Sequence, residues 1–384
     1  MIRDDLILED TTLRDGEQTP GVALSKQTKT KILDRLLAIG VTSVEIGIPA
    51  MGGEELEFIT SVVDRQDEAR LVTWHRGVRE DIEASLDLGY RAVHMGLPAS
   101  DLHLSSSVRK DRNWLLRTAR DLVGMCKDRG AFVSISAEDL ARTDPAFLVD
   151  YAHTVREAGA DRLRLSDTVG MLTPEEYGGR VAAIARECDI DLQCHAHNDF
   201  GLAVANTIAG LQAGARYFHV TINGIGERAG MADIAHVVVA LNRLYGVDLG
   251  VDLTGLTSLA RDFADIVGHP LPPWHPITGE NVFAHESGIH VNAMLRDTSS
   301  FEPFPPEDVG GQRRYVLGKH SGRALVEWML AEQGLSVDQR VAADCLARVR
   351  QVAIDQGGPL SVEQLTQLHR EVTESTTSYT SSSS

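Results

Sequence analysis

What this chain is short of narrows its function before any motif does. Its 37 Lys and Arg stand against 55 Asp and Glu, a formal net charge of −18, so it lacks the basic surface that a phosphate backbone requires, and nucleic acid is not an expected partner. Runs of eighteen apolar residues are absent, and the stretch Met1-Ile2-Arg3-Asp4-Asp5 has neither the basic flank nor the apolar core of a signal peptide. No membrane association is expected, and a cytoplasmic location is. The four cysteines, Cys126, Cys188, Cys194 and Cys345, show no C-x-x-C spacing, which argues against both a disulfide framework and a zinc ribbon. A G-x-G-x-x-G after the first apolar run, the usual dinucleotide-binding signal, is missing too.

What is present is core-forming material. Hydrophobic residues make up 43% of 384, enough for one large domain and an appendage. Short apolar runs at 6–9, 43–47, 70–73, 92–95, 132–135, 162–165, 191–194 and 217–222 read as strands. Amphipathic helical patterns lie between them, among others at 25–39, 112–129, 145–158, 174–187, 202–213 and 232–245. Several close on a glycine turn, at Gly40, Gly89, Gly159 and Gly214. Strand, helix and glycine turn, repeated, imply a parallel sheet with crossover helices. Eight such units in about 245 residues fit a closed (β/α)8 TIM barrel better than an open doubly wound sheet. The expected organisation is an α/β barrel over 1–248, a helix and proline-rich linker over 249–280, a mainly helical C-terminal subdomain over 281–374, and a disordered tail over 375–384, whose Ser and Thr give nothing to pack.

In such a barrel chemistry belongs at the C-terminal ends of the strands. The most informative stretch there is Gln193-Cys194-His195-Ala196-His197-Asn198-Asp199. Residues i and i+2 of an extended segment share a face, so His195 and His197 project together and can grip one divalent cation. Asp15, in a glycine-containing loop after the first strand, is the carboxylate best placed to join them; Asp10 lies nearer the barrel interior. Two His and one Asp, with the remaining positions left to water or substrate oxygens, make an open catalytic site able to polarise a carbonyl. Other strand ends add Glu45, Trp74, His75, His94, Ser134, Ser136, Glu138, Arg164, Asp167 and Thr168.

Five ordered segments carry a family resemblance: Asp10-Thr11-Thr12-Leu13-Arg14-Asp15-Gly16-Glu17-Gln18, Asp167-Thr168-Val169-Gly170, His195-Ala196-His197-Asn198-Asp199, Asn223-Gly224-Ile225-Gly226-Glu227-Arg228 and His285-Glu286-Ser287-Gly288-Ile289-His290. Over about residues 5–330 the chain resembles the homocitrate synthase and isopropylmalate synthase family. The resemblance implies a metal-dependent TIM barrel that condenses acetyl-CoA, as co-substrate, with a 2-oxo acid. It implies a divalent cation (Mg2+, Mn2+ or Zn2+) on Asp15, His195 and His197. Arg14, His290 and Glu138 are then the candidate catalytic groups, Arg14 neutralising charge and His290 moving a proton. Arg14, Gln18, Trp74, His94, Ser134, Ser136 and Thr168 are the candidate substrate-binding groups. It further implies a homodimer with shared active sites, His290 reaching the partner's barrel.

Where many relatives carry an Asn that is a further metal ligand, this chain has Met231, a poor ligand for a hard cation, so three protein ligands are expected. Lysine-pathway homocitrate synthases have Arg and His where Ser134 and Trp74 align here. The acceptor pocket looks instead like that of the homocitrate synthases linked to nitrogen fixation, which puts 2-oxoglutarate first and phosphonopyruvate second as the expected acceptor. A metal-dependent aldolase or acyl-CoA lyase on the same barrel is the alternative class. The H-E-S-G-I-H segment and the Gly318-Lys319-His320-Ser321-Gly322 turn favour the condensing branch.

Overall fold

The computed structural model describes residues 2–336 and 338–381, the side chains only as far as 375. Two compact units divide the chain, one ending at Leu271 and one beginning at Pro272. In the first, eight strands close into a barrel in chain order: β1 (Ile7–Asp10), β2 (Ser43–Gly47), β3 (Arg70–Arg76), β4 (Ala92–Gly96), β5 (Phe132–Glu138), β6 (Arg162–Asp167), β7 (Asp191–Ala196) and β8 (Tyr217–Val220). All pairings are parallel, and β8 closes on β1 with Ile7 opposite Tyr217 and Asp10 opposite Val220. Helices Lys26–Ala38, Gly53–Val62, Arg79–Asp87, Arg112–Asp128, Pro145–Glu157, Pro174–Glu187, Ala203–Gln212 and Ile234–Tyr245 follow the strands one for one. This is the (β/α)8 barrel that the alternating pattern implies.

Local chemistry explains where the helices start and stop. Asp111, Asp144 and Asp233 each cap a helix by accepting backbone N–H bonds, and Thr173 and Glu176 form a reciprocal capping box. The glycine after the first helix is required by its surroundings: Gly40 has φ +90°, and a Cβ there would lie 2.6 Å from the carbonyl oxygen of Gly250. Outward strand residues such as Val44, Ile46, Val93, Val133 and Leu163 are fully buried against the helix ring.

The interior of this barrel is not the usual packing of branched aliphatics. It is ionic. Glu9 accepts from Arg162 at 2.5 Å and from Gln193 at 3.0 Å, and Ser43 donates to it at 2.7 Å. Glu45 accepts from Arg164 at 2.6 Å, from Arg14 at 2.5 Å and from Thr11 at 2.8 Å. Both carboxylates and both strand-six arginines are essentially without solvent contact. Burial alone would raise the pKa of either carboxyl group; the neighbouring guanidinium charges outweigh it and hold both well below the usual carboxylate range.

The helix Leu256–Val267, in the stretch expected to hold a helix before the proline-rich linker, packs Leu256, Leu259, Ala260 and Phe263 into the first unit. The second unit is mainly helical, with Gly288–Met294, Arg323–Glu332, Gln339–Gln356 and Val362–Ser381. Its core gathers Val291, Leu317, Leu325, Val326, Leu330, Cys345, Val349 and Leu365. Ala284–His285 and Arg314–Tyr315 add a short parallel pair. The last helix runs to Ser381, into the stretch expected to be an unpacked tail; Val337 and residues 382–384 lie outside the described residues. Among the described residues no helix is long and apolar enough to cross a membrane.

Candidate metal centre and active site

The loop after β1 and the end of β7 meet at the C-terminal mouth of the barrel. Asp15 Oδ2 lies 3.7 Å from His195 Nε2 and 3.8 Å from His197 Nε2. One ligand atom from each falls within 4.8 Å of the others, and all three residues are buried. Ligand bonds of about 2.0–2.2 Å to a common cation leave neighbouring donor atoms roughly 3–4 Å apart, so one anionic oxygen and two imidazole nitrogens fit a divalent cation. Met231, buried, forms an isolated antiparallel bridge with His197 through its backbone. A second cluster, Glu9, Glu45 and His219, also has ligand spacing, but its carboxylates are already occupied by Arg14, Arg162 and Arg164.

The pocket at this cluster is lined by Arg14, Asp15, Gln18, Trp74, Ser136, Glu138, Arg164, Ser166, Thr168, His195, His197, Glu227 and Arg228. Arg14 is braced between Glu45 and Asp15, its Nη1 donating to Asp15 Oδ2 at 2.9 Å, with Trp74 5.7 Å away beneath the guanidinium. Burial works against its charge, but Glu45 and Asp15 outweigh that and raise its pKa, so it is a fixed cation. Glu138 is a carboxyl group for which burial dominates over Arg14 and Arg164 and raises the pKa above its ordinary value. Gly96 makes room for this arrangement, since a Cβ there would meet Trp74 at 2.4 Å and the Glu138 carboxyl at 2.6 Å. Thr168 donates to the Ser166 carbonyl and accepts from the Asp139 N–H at 2.8 Å. Arg228 ties the loops together by pairing with Asp199 at 2.8 Å and donating to the Thr168 carbonyl at 2.7 Å.

Two expected pocket residues are not there. His94 and Ser134 sit one layer down inside the barrel, where His94 Nδ1 and Ser134 Oγ are 2.8 Å apart and Ser134 accepts from Arg162 Nε at 2.8 Å. The reason is strand length. β5 was expected to end at 135 but runs to Glu138, so its mouth is formed by Ser136 and Glu138 while Ser134, two residues earlier on the same face, points into the ionic core. We expect Ser136→Ala to raise the acceptor KM about five- to tenfold and Ser134→Ala to leave it unchanged while destabilising the fold by about 1–3 kcal/mol, the cost of an unpartnered buried Arg162 Nε. Steady-state kinetics beside urea unfolding checks both; a KM effect at Ser134 would refute this assignment. Arg164, named at a strand end, and Glu227 and Arg228, in the G-I-G-E-R segment, were not assigned a catalytic or binding role from sequence, and Ser166 was not named at all; all four line the pocket. His290 belongs to the second unit, is exposed, and stacks on Phe301 with ring centroids 4.0 Å apart.

A closed parallel barrel with an open Asp/His/His cluster at its mouth, beside a fixed guanidinium and a buried acid, defines a (β/α)8 enzyme with a candidate divalent-cation site. Comparison with known proteins gives the family. Residues 5–263 match the HMGL-like family and residues 277–357 the homocitrate synthase post-HMGL domain-like family. The chain belongs to the HMGL-like family, in its branch of acetyl-CoA-condensing synthases. It is 70% identical to a 2-phosphonomethylmalate synthase of Streptomyces rubellomurinus over 96% of this chain and 99% of that protein. It is 42% identical to 2-isopropylmalate synthase 2 of Caldanaerobacter subterraneus subsp. tengcongensis over 94% of each chain. With homocitrate synthase 1 of Nostoc sp. it shares 41% identity over 95% of this chain and 97% of that one. Among solved structures, the hydroxymethylglutaryl-CoA lyase of Pseudomonas aeruginosa superposes with a TM-score of 0.62 at 20% identity, over 70% of this chain and 94% of that one; this likeness speaks to the fold alone.

Proposed function

We propose that the chain condenses acetyl-CoA with phosphonopyruvate, giving 2-phosphonomethylmalate and free CoA. The observation that carries this reading is the 70% identity with the Streptomyces rubellomurinus 2-phosphonomethylmalate synthase over nearly the whole of both chains. The homocitrate synthases named among the relatives are 41–46% identical, which favours phosphonopyruvate, second in the order expected from sequence, over 2-oxoglutarate, the first. The five motifs are shared across the family and report the reaction, whereas the acceptor depends on a few pocket side chains.

Asp15, His195 and His197 would hold the cation, which when bound supplies Lewis acidity toward the oxo group. Arg14, fixed and charged beside Asp15, opposes the negative charge that builds on the oxo oxygen as the acetyl methyl carbon bonds to the oxo carbon. Glu138, whose burial raises its pKa above the ordinary carboxyl value, lines the same pocket and is suited to give that oxygen its proton. Water then cleaves the thioester C–S bond and CoA leaves as the thiol. Thr168, Gln18, Trp74 and Ser136 orient the oxo acid.

The test is thiol release from acetyl-CoA with Mg2+, Mn2+ or Zn2+ across phosphonopyruvate, 2-oxoglutarate, 2-oxoisovalerate, pyruvate and oxaloacetate. Phosphonopyruvate should exceed the others in kcat/KM by at least about tenfold. A 2-oxoglutarate preference would return the assignment to homocitrate synthesis, and no release with any acid would end the condensation reading.

The same proposal includes a homodimer in which His290 serves the partner's site, moving the proton of the acetyl methyl group. Mixed His290→Ala and His197→Ala subunits should recover up to about a quarter of wild-type activity from two nearly inactive parents, because random pairing gives half mixed dimers, each with one intact site of two. No recovery despite subunit exchange confirmed by mass would rule out the shared site.

A further inference from the structure

Behind the metal cluster, a chain of hydrogen bonds runs from His195 into the ionic core. His195 Nδ1 lies 2.8 Å from His219 Nδ1, and His219 Nε2 lies 2.8 Å from Glu9 Oε1. His219 and Glu9 have no solvent exposure. The His195 main chain is held separately, its N–H donating to Tyr177 Oη at 3.0 Å while that hydroxyl donates to the Leu165 carbonyl at 2.8 Å. Backbone and ring are thus each fixed by a different partner.

We infer that His219 and Glu9 are positioning residues for His195, a carboxylate–imidazole–imidazole relay that turns the Nε2 lone pair of His195 toward the metal cluster. This rests on the reading of Asp15, His195 and His197 as cation ligands. Two ring nitrogens at hydrogen-bond distance share one proton between them. Glu9, which also accepts from Arg162, Gln193 and Ser43, has no proton to give, so His219 Nε2 carries one and donates it. A neutral His219 then has a bare Nδ1, and the shared proton sits on His195 Nδ1. That leaves His195 Nε2 without a proton, and Nε2 is the atom lying 3.7 Å from Asp15 Oδ2. The opposite tautomer of His195 would present an N–H to the cluster and exclude a cation. A ligand's outer hydrogen bond of this kind fixes ring orientation and tautomer together.

Glu9→Gln would also strip Arg162 of its counter-charge, so the test uses His219. His219→Phe keeps the ring shape and removes both nitrogens; His219→Asn keeps an acceptor oxygen near the Nδ1 position but cannot reach Glu9. Mn2+ is titrated into chelator-treated protein and free Mn2+ is read by EPR, with wild type and His197→Ala as references and circular dichroism to confirm folding. Wild type should bind one Mn2+ per chain and His197→Ala should lose it. His219→Phe should bind about 10- to 100-fold more weakly than wild type, and His219→Asn should recover part of that loss. A His219→Phe affinity within twofold of wild type overturns the relay, as does a His219→Asn as weak as His219→Phe. Equal Mn2+ uptake by wild type and His197→Ala, or none by wild type, removes the metal reading itself and the relay with it. Should neither His219 variant fold, a 1H–15N correlation spectrum of histidine-labelled, Zn2+-loaded wild type decides, with a proton on His195 Nδ1 expected and one on Nε2 overturning the inference.

Discussion

His197→Ala and Asp15→Asn should each abolish condensation, lowering kcat/KM by at least about a thousandfold, and should do so by emptying the site. The cluster has three ligand atoms among the described residues; His197→Ala removes one outright, and Asp15→Asn trades an anionic oxygen for a neutral amide oxygen, a much weaker ligand for a hard divalent cation. Met231, the neighbour bridged to His197, offers a thioether, and Arg14 offers only donors. Asp15→Asn carries a second effect, because Asp15 is one of two carboxylates neutralising Arg14; removing its charge leaves Arg14 leaning on Glu45 alone. Loss of Mn2+ binding with retained folding is therefore expected of both variants, and His197→Ala should be the cleaner of the two in stability. Activity above about a tenth of wild type in either variant, with metal content measured on the same sample, would dismiss the cluster as the catalytic centre.

The Asp15, His195 and His197 cluster was legible in sequence because each part of it follows from a local rule. Period-two alternation puts His195 and His197 on one face, and a glycine-containing loop after a strand brings Asp15 to the same mouth. The strands were legible because parallel barrel strands are short apolar runs between caps and glycine turns. Depth was not. Alternation says which face Ser134 and Ser136 share but not which of them reaches the opening, and Ser134, aligned with the Arg of lysine-pathway homocitrate synthases, was assigned to the mouth together with Ser136. His94 was displaced for the same reason, being paired with Ser134 across β4 and β5. The ionic core was hidden by distance along the chain: Arg164 and Glu45 are 119 residues apart, and Arg162 and Glu9 are 153 apart. A charged residue inside an apolar run hints that a partner exists without saying where.

That core makes Glu45 the position where one atom change should cost the most stability. Glu45→Gln keeps the shape of the side chain but removes the charge shared by Arg14 and Arg164, and it turns one acceptor oxygen into an N–H. Either orientation of the amide then points a donor at a guanidinium, Arg164 at the Oε1 position or Arg14 and Thr11 at the Oε2 position. Burial already depresses the Arg164 pKa to about 10 despite the help of Glu45, so that guanidinium depends on its counter-charge. Breaking a buried pair on one side typically costs about 3–5 kcal/mol, because a charge is left without water or partner. By contrast Glu83→Gln, which removes an exposed pair with Arg79 at 3.5 Å, should cost under about 0.5 kcal/mol. Urea unfolding of the metal-free variants compares them directly. If Glu45→Gln unfolds within about 0.5 kcal/mol of wild type, the interior ion network does not hold the barrel together.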